Sequence, residues 1–117
     1  MWEEYRMEDA EYCLVAFGIA ARVTKAAIDE ARKKGIRAGM IRPITLWPFP
    51  EKALAAAAEK CVSFATVELN MGQMIDDVRL AISCKRPVKL IHRAGGIIPS
   101  PEEVLRGIEN MEGGAEK

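Results

Sequence analysis

This 117-residue sequence holds one histidine and three cysteines among many carboxylates, and spacing decides what each could do. Its single histidine, His92, is followed by Arg93. Paired with Glu68 at the carboxyl edge of a sheet, it would make an acid–base couple. The plainer role is a hydrogen-bonded structural histidine at a strand end. No series of nucleophile, base and orienting group can be assembled from the remaining residues, so no catalytic residue is assigned. Glu68-Leu69-Asn70-Met71-Gly72-Gln73 is the most informative segment. Asn70 with Gln73 three residues later imitates a capping box, and the amides of a helix start at that place favour an anion. Capping is the simpler reading, with a phosphate or carboxylate as the alternative. Trp47-Pro48-Phe49-Pro50 sets two aromatics in a stiff loop, suited to packing beneath the loop or to docking on another protein, since a restricted loop loses little entropy on docking. Trp47, Phe49, Glu68, Asn70, Gly72 and Gln73 are therefore the interface or crevice candidates, with Leu80, off its helix stripe, as a possible addition to that surface.

Several familiar sites fail on spacing. Gly18-Ile19-Ala20-Ala21-Arg22 has one glycine where a dinucleotide fingerprint has three, and no GK[ST] triplet offers a P-loop. Cys13, Cys61 and Cys84 are widely separated, with no CxxC pair and no four-cysteine series for an iron–sulfur cluster or structural zinc. They read as buried thiols, and no metal site is assigned.

The elements that would position these residues follow from periodicity. Tyr12 to Phe17 is apolar on both alternating faces, as expected of a parallel strand covered on both sides, and Gly18 bounds it. From Ile19 the period becomes helical: Ile19, Ala20, Val23, Ala27 and Ala31 share a stripe, Arg22 and Lys25 fall elsewhere, and Gly35 ends the helix. Ile36 to Arg42 is a second strand, weakened by Gly39. Three prolines from Pro43 to Pro50 then forbid regular structure, and a helix is predicted over Glu51 to Lys60. Val62 to Glu68 is the third strand. Asn70 opens a third helix with Met71, Met74, Ile75, Val78 and Ile82 on one face. Pro87 to His92 is a fourth strand, and Ser100-Pro101-Glu102-Glu103 is a capping box opening the last helix, which carries Val104, Leu105 and Ile108. Four strand-then-helix units predict a three-layer α/β/α domain with a doubly wound, mainly parallel sheet in the order 2-1-3-4. Its switch point would be lined by Gly18-Ile19 and Glu68-Leu69-Asn70.

One domain is expected, with residues 1–10 a linker-like lead-in, 11–111 the α/β core and 112–117 a frayed tail. Seventeen basic residues balance seventeen acidic ones, so nothing in the charge argues for nucleic acid or an anionic membrane as partner. The acidic start Met1-Trp2-Glu3-Glu4 and the lack of a long apolar run make a cytoplasmic location the expectation.

Met40-Ile41-Arg42-Pro43-Ile44-Thr45-Leu46-Trp47-Pro48-Phe49-Pro50, followed by Val67-Glu68-Leu69-Asn70-Met71-Gly72-Gln73-Met74, resembles the α subunit of 2-oxoacid:ferredoxin oxidoreductases. Ala21-Arg22 after Gly18, and Gly95-Gly96-Ile97-Ile98-Pro99-Ser100-Pro101-Glu102-Glu103, are similar to the same family in order and spacing. The resemblance covers essentially the whole chain and implies a transketolase C-terminal-like domain that follows a thiamine diphosphate domain in a longer subunit. The upstream domain is missing before Met1, so a fragment is implied. It further implies a whole enzyme that oxidatively decarboxylates a 2-oxoacid to an acyl-CoA, with coenzyme A and ferredoxin as partners. Thiamine diphosphate, Mg²⁺ and iron–sulfur clusters are implied for other domains or subunits, and an architectural role at a subunit interface for this one. The alternatives are the C-terminal domain of a transketolase or of a 2-oxoacid dehydrogenase β subunit, and a free-standing module that binds a small ligand in the switch-point crevice. Which 2-oxoacid is used is not written in these residues.

Overall fold

The computed structural model describes residues 2–44, 50–68, 74–92 and 98–113. Five strands and four helices follow one another as β1 (Trp2–Tyr5), β2 (Tyr12–Ala16), α1 (Ile19–Lys33), β3 (Ala38–Pro43), α2 (Glu51–Ala58), β4 (Ser63–Glu68), α3 (Ile75–Ala81), β5 (Val88–His92) and α4 (Pro101–Gly113). They form one sheet in the order β1-β3-β2-β4-β5. The last four named strands are parallel, which is the order 2-1-3-4 expected from the sequence, and β1 adds an antiparallel edge on β3.

The strand alternation divides two cores. Tyr12, Leu14 and Ala16 of β2, with Ala38 and Met40 of β3 and Ala65 and Val67 of β4, face α1 and α4. Cys13, Val15, Ile41 and Phe64 face α2 and α3. Both faces of β2 are covered, so its sequence shows no polar side. Each fully buried Leu, Ile or Phe here contributes roughly 1.5–3 kcal/mol of hydrophobic stabilisation.

The lead-in corrects one expectation. Trp2–Tyr5 is a strand, with Glu3 opposite Arg42 and Tyr5 opposite Met40. Met7 and Ala10 are buried in the α2/α3 core. Arg32 Nη2 donates to the Arg6 carbonyl at 2.8 Å and Lys60 Nζ to the Met7 carbonyl at 2.5 Å, so side chains from two other elements tie this segment down. Gly39, which looked like a weakness in a strand, has a packing role: an added Cβ would stand 2.7 Å from the Arg6 carbonyl oxygen and 2.8 Å from Met7 Sδ. The lead-in lies too close for any side chain there.

Helix ends follow local chemistry. Gly35 has φ 83 at the end of α1, as its sequence position suggests. Before α4, the Ser100 N–H donates to Glu103 Oε1 at 2.8 Å and the Glu103 N–H to Ser100 Oγ at 3.2 Å, a reciprocal capping box. The third helix differs from expectation, since Met74 is its N-cap and Ile75 its first residue. α4 continues to Gly113, past the expected start of the tail at 112.

Candidate functional site

The carboxyl ends of the parallel strands are where such a sheet places ligands or partners. Glu68 ends β4 there, on the face covered by α2 and α3, and is 6% exposed. Its carboxylate is fully engaged: Oε2 accepts the Thr66 hydroxyl at 2.9 Å and Oε1 accepts the Met74 N–H at 2.6 Å. Glu68 therefore caps the start of α3 from the end of the preceding strand. His92 is opposite it in the β4/β5 register but is exposed, and no hydrogen bond joins the two. The acid–base couple considered from sequence is not assembled. The other candidates, Trp47, Phe49, Asn70, Gly72 and Gln73, lie outside the described residues. Leu80 is described and is 76% exposed.

Flanking that edge, Phe17 after β2, Ile19 at the start of α1 and Ile44 after β3 are all exposed apolar side chains.

A cavity opens beside this edge at the start of α1. It measures about 480 Å³ and is bounded by Gly18, Ile19, Ala21, Arg22, Lys25 and Arg42. Gly18 and Ile19 belong to the predicted crevice, but β3 supplies the opposite wall through Arg42, and Glu68 stands on the other face of the sheet. Gly18 adopts φ 64 and ψ −136, a conformation that glycine alone takes readily, and no side chain caps α1. Arg42 Nη1 and Lys25 Nζ flank Glu3 at 3.1 and 3.6 Å, and the Arg42 hydrogen bond followed by the Lys25 charge holds the Glu3 carboxyl below the usual carboxylate range. Arg42 Nε is shielded from solvent and unpaired among the described residues. Sequence reasoning set Arg22 and Lys25 aside as the polar face of a helix. Their i,i+3 spacing after the strand-ending glycine was the available signal.

The three thiols divide by burial. Cys13 and Cys61 are buried in the α2/α3 core, where Cys61 Sγ donates to the Ala10 carbonyl at 3.4 Å. Burial pushes the Cys13 thiol well up. Cys84 departs from expectation: it is exposed, at φ 55 just beyond α3. Among the described residues no three His, Cys, Asp or Glu side chains converge, so this donor set does not fit an iron–sulfur cluster or the Mg²⁺ of a thiamine site. Nor is any described helix long and apolar enough to cross a membrane.

Comparison with known proteins accords with this geometry. The VorB subunit of ketoisovalerate oxidoreductase from Methanothermobacter marburgensis is 46% identical over 112 residues, which are 96% of this chain and 32% of that subunit. The chain thus spans about a third of that relative. The solved 2-oxoglutarate:ferredoxin oxidoreductase from Magnetococcus marinus, with 2-oxoglutarate, coenzyme A and succinyl-CoA bound, superposes with a TM-score of 0.80 at 23% identity, covering 94% of this chain and 19% of the other. A split-gene transketolase, an inactive β4 tetramer, superposes with a TM-score of 0.76 at 18% identity, covering 88% of this chain and 38% of its own. At those identities the two structures share the fold, which is the transketolase-like α/β domain expected. The model for pyruvate:ferredoxin oxidoreductase core domain II matches residues 10–104, and the chain belongs to that family.

Proposed function

We propose that this chain acts as core domain II of a 2-oxoacid:ferredoxin oxidoreductase subunit, giving shape and contact surface to an enzyme whose bond-making centre lies in other domains. The family match over residues 10–104 carries the proposal. It also favours the ferredoxin-linked enzymes over the transketolase alternative, with which the likeness is one of fold. The whole enzyme would oxidatively decarboxylate a 2-oxoacid, transfer the acyl group to coenzyme A and pass electrons to ferredoxin. Thiamine diphosphate, Mg²⁺ and iron–sulfur clusters would be held by other domains or subunits, and the assembly would work in the cytoplasm.

Two features support a contact role for this domain. Glu68, the one buried carboxylate among the described residues, is spent on capping α3. Phe17, Ile19 and Ile44 present exposed apolar surface, and a partner covering them would remove that surface from water. Trp47, Phe49, Asn70, Gly72 and Gln73 are proposed as part of the same interface, near the thiamine site and the coenzyme A entrance of the assembled enzyme.

The test uses the assembled oxidoreductase carrying Ile19→Asp, Trp47→Ala or Gln73→Ala. Subunit co-purification and ferredoxin reduction are measured with 2-oxoisovalerate, 2-oxoglutarate and pyruvate. The expected result is loss of assembly or a parallel fall in turnover on every substrate accepted. Normal assembly and turnover in all three variants would reject the contact role.

A further inference from the structure

We infer that the cavity at the start of α1 is an anion subsite that takes a phosphate or diphosphate group of a small molecule, held by Arg22, Lys25 and Arg42. The chain as a whole has no net charge, yet these three cations line one cavity of about 480 Å³, and among the described residues Glu3 is the only carboxylate paired to any of them. That imbalance concentrates positive potential in a concave site, which raises the local concentration of anions.

The site's state of satisfaction points the same way. Glu3 occupies Nη1 of Arg42 and approaches Lys25, but Arg42 Nε is buried and unpaired, an arrangement costly unless an acceptor arrives. Arg22 is exposed and has no ion-pair or hydrogen-bond partner among the described residues. It stands one turn into α1, at i,i+3 from Lys25. The floor is suited to close approach: Gly18 has open space where a Cβ would stand. The first turn of the 15-residue α1 contains no acidic residue and no side chain caps it; the Ala21 N–H already donates to the Gly18 carbonyl at 3.0 Å, which leaves the Ile19 and Ala20 amides for an anion. Guanidinium forks at two corners match the oxygens of a phosphate better than those of a lone carboxylate. The exposed Ile19 adds an apolar contact for whatever carries the phosphate. Glu3 then acts as an internal competitor, since it offers the same cations a carboxylate.

The inference stands apart from the contact role, because an anion can be held by a domain that makes no bonds. The test titrates the 117-residue chain with inorganic pyrophosphate and, separately, with inorganic phosphate at fixed low ionic strength, followed by backbone amide shifts. Saturable shifts are expected at Gly18 through Arg22 and at Arg42. Arg22→Gln, an exposed position whose loss leaves the fold intact, is expected to weaken pyrophosphate roughly fivefold or more, and Lys25→Gln similarly. Glu3→Gln is expected to tighten binding by roughly twofold or more, because it removes the competitor. Shifts that do not saturate, shifts reproduced by chloride, or an affinity unchanged by Arg22→Gln would each overturn the assignment. So would tighter binding of a hexaglutamate peptide than of pyrophosphate, which would make the cavity a contact for an acidic polypeptide.

Discussion

Removing the Glu68 carboxylate separates a structural from a chemical role at the residue most open to either. In Glu68→Ala the Thr66 hydroxyl and the Met74 N–H both lose their acceptor, at 2.9 and 2.6 Å, and both residues are buried. A hydrogen bond to a charged group contributes about 1.5–3 kcal/mol, and a stranded buried N–H costs about 1–3 kcal/mol. The hydroxyl can rotate toward another acceptor, whereas the amide is fixed by the backbone, so the Met74 side dominates. Relief of the desolvated carboxylate offsets part of this. The net expectation is a loss of about 2–4 kcal/mol, or a melting temperature lower by roughly 10–20 °C for a domain near this size. Glu68→Gln keeps an oxygen for Met74 and turns its amide toward the Thr66 oxygen, so about 1 kcal/mol or less is expected to be lost. Urea denaturation of the chain measures both. If Glu68→Ala falls within about 0.5 kcal/mol of the parent, the capping account is wrong. In the assembled enzyme, a Glu68→Gln variant that assembles normally and has lost turnover would assign Glu68 to the chemistry instead.

Two further expectations test the packing. Gly39→Ala drives a methyl group toward backbone and sulfur at 2.7 and 2.8 Å, and should lower stability by about 1–3 kcal/mol in the same denaturation experiment. A neutral outcome would mean that the lead-in is not packed on β3 as described. For the thiols, an alkylating reagent at neutral pH should modify Cys84 quickly, while Cys13, shielded and with its thiol pushed up by burial, should react only on unfolding, as should buried Cys61. Mass spectrometry of the native chain showing label first on Cys13 or Cys61 would contradict the core assignment.

How much of this was legible depended on whether a feature is encoded locally or by distant contacts. The central strands and α1 were readable because every position in them answers to a covered sheet or an amphipathic stripe, and the α4 capping box because Ser100 and Glu103 satisfy each other without help. β1 was not readable. Trp2–Tyr5 carries two acidic residues and only a weak alternation, and becomes a strand because β3 offers a free edge and because Arg32 and Lys60, far along the chain, hold the carbonyls behind it. Glu68 was located correctly at the end of its strand, but its function depends on where Met74 returns to meet it, which no local pattern states.

Strand parity also separates Glu68 from the cavity at the start of α1. The sequence places Gly18-Ile19 and Glu68 at one edge, yet a side chain's face is set by strand parity: Glu68 shares its face with Phe64, toward α2 and α3, while Arg42 shares its face with Ala38 and Met40, toward α1. Two residues at one edge can thus serve opposite layers, and one set caps a helix while the other lines a cavity. Along β3 the core-facing alternation Ala38, Met40 ends in Arg42, an ion at the first position where the α1 layer no longer covers the strand completely. A guanidinium at such a position, facing Arg22 and Lys25 across a glycine turn, is what a scaffold would carry if its edge had to meet negative charge.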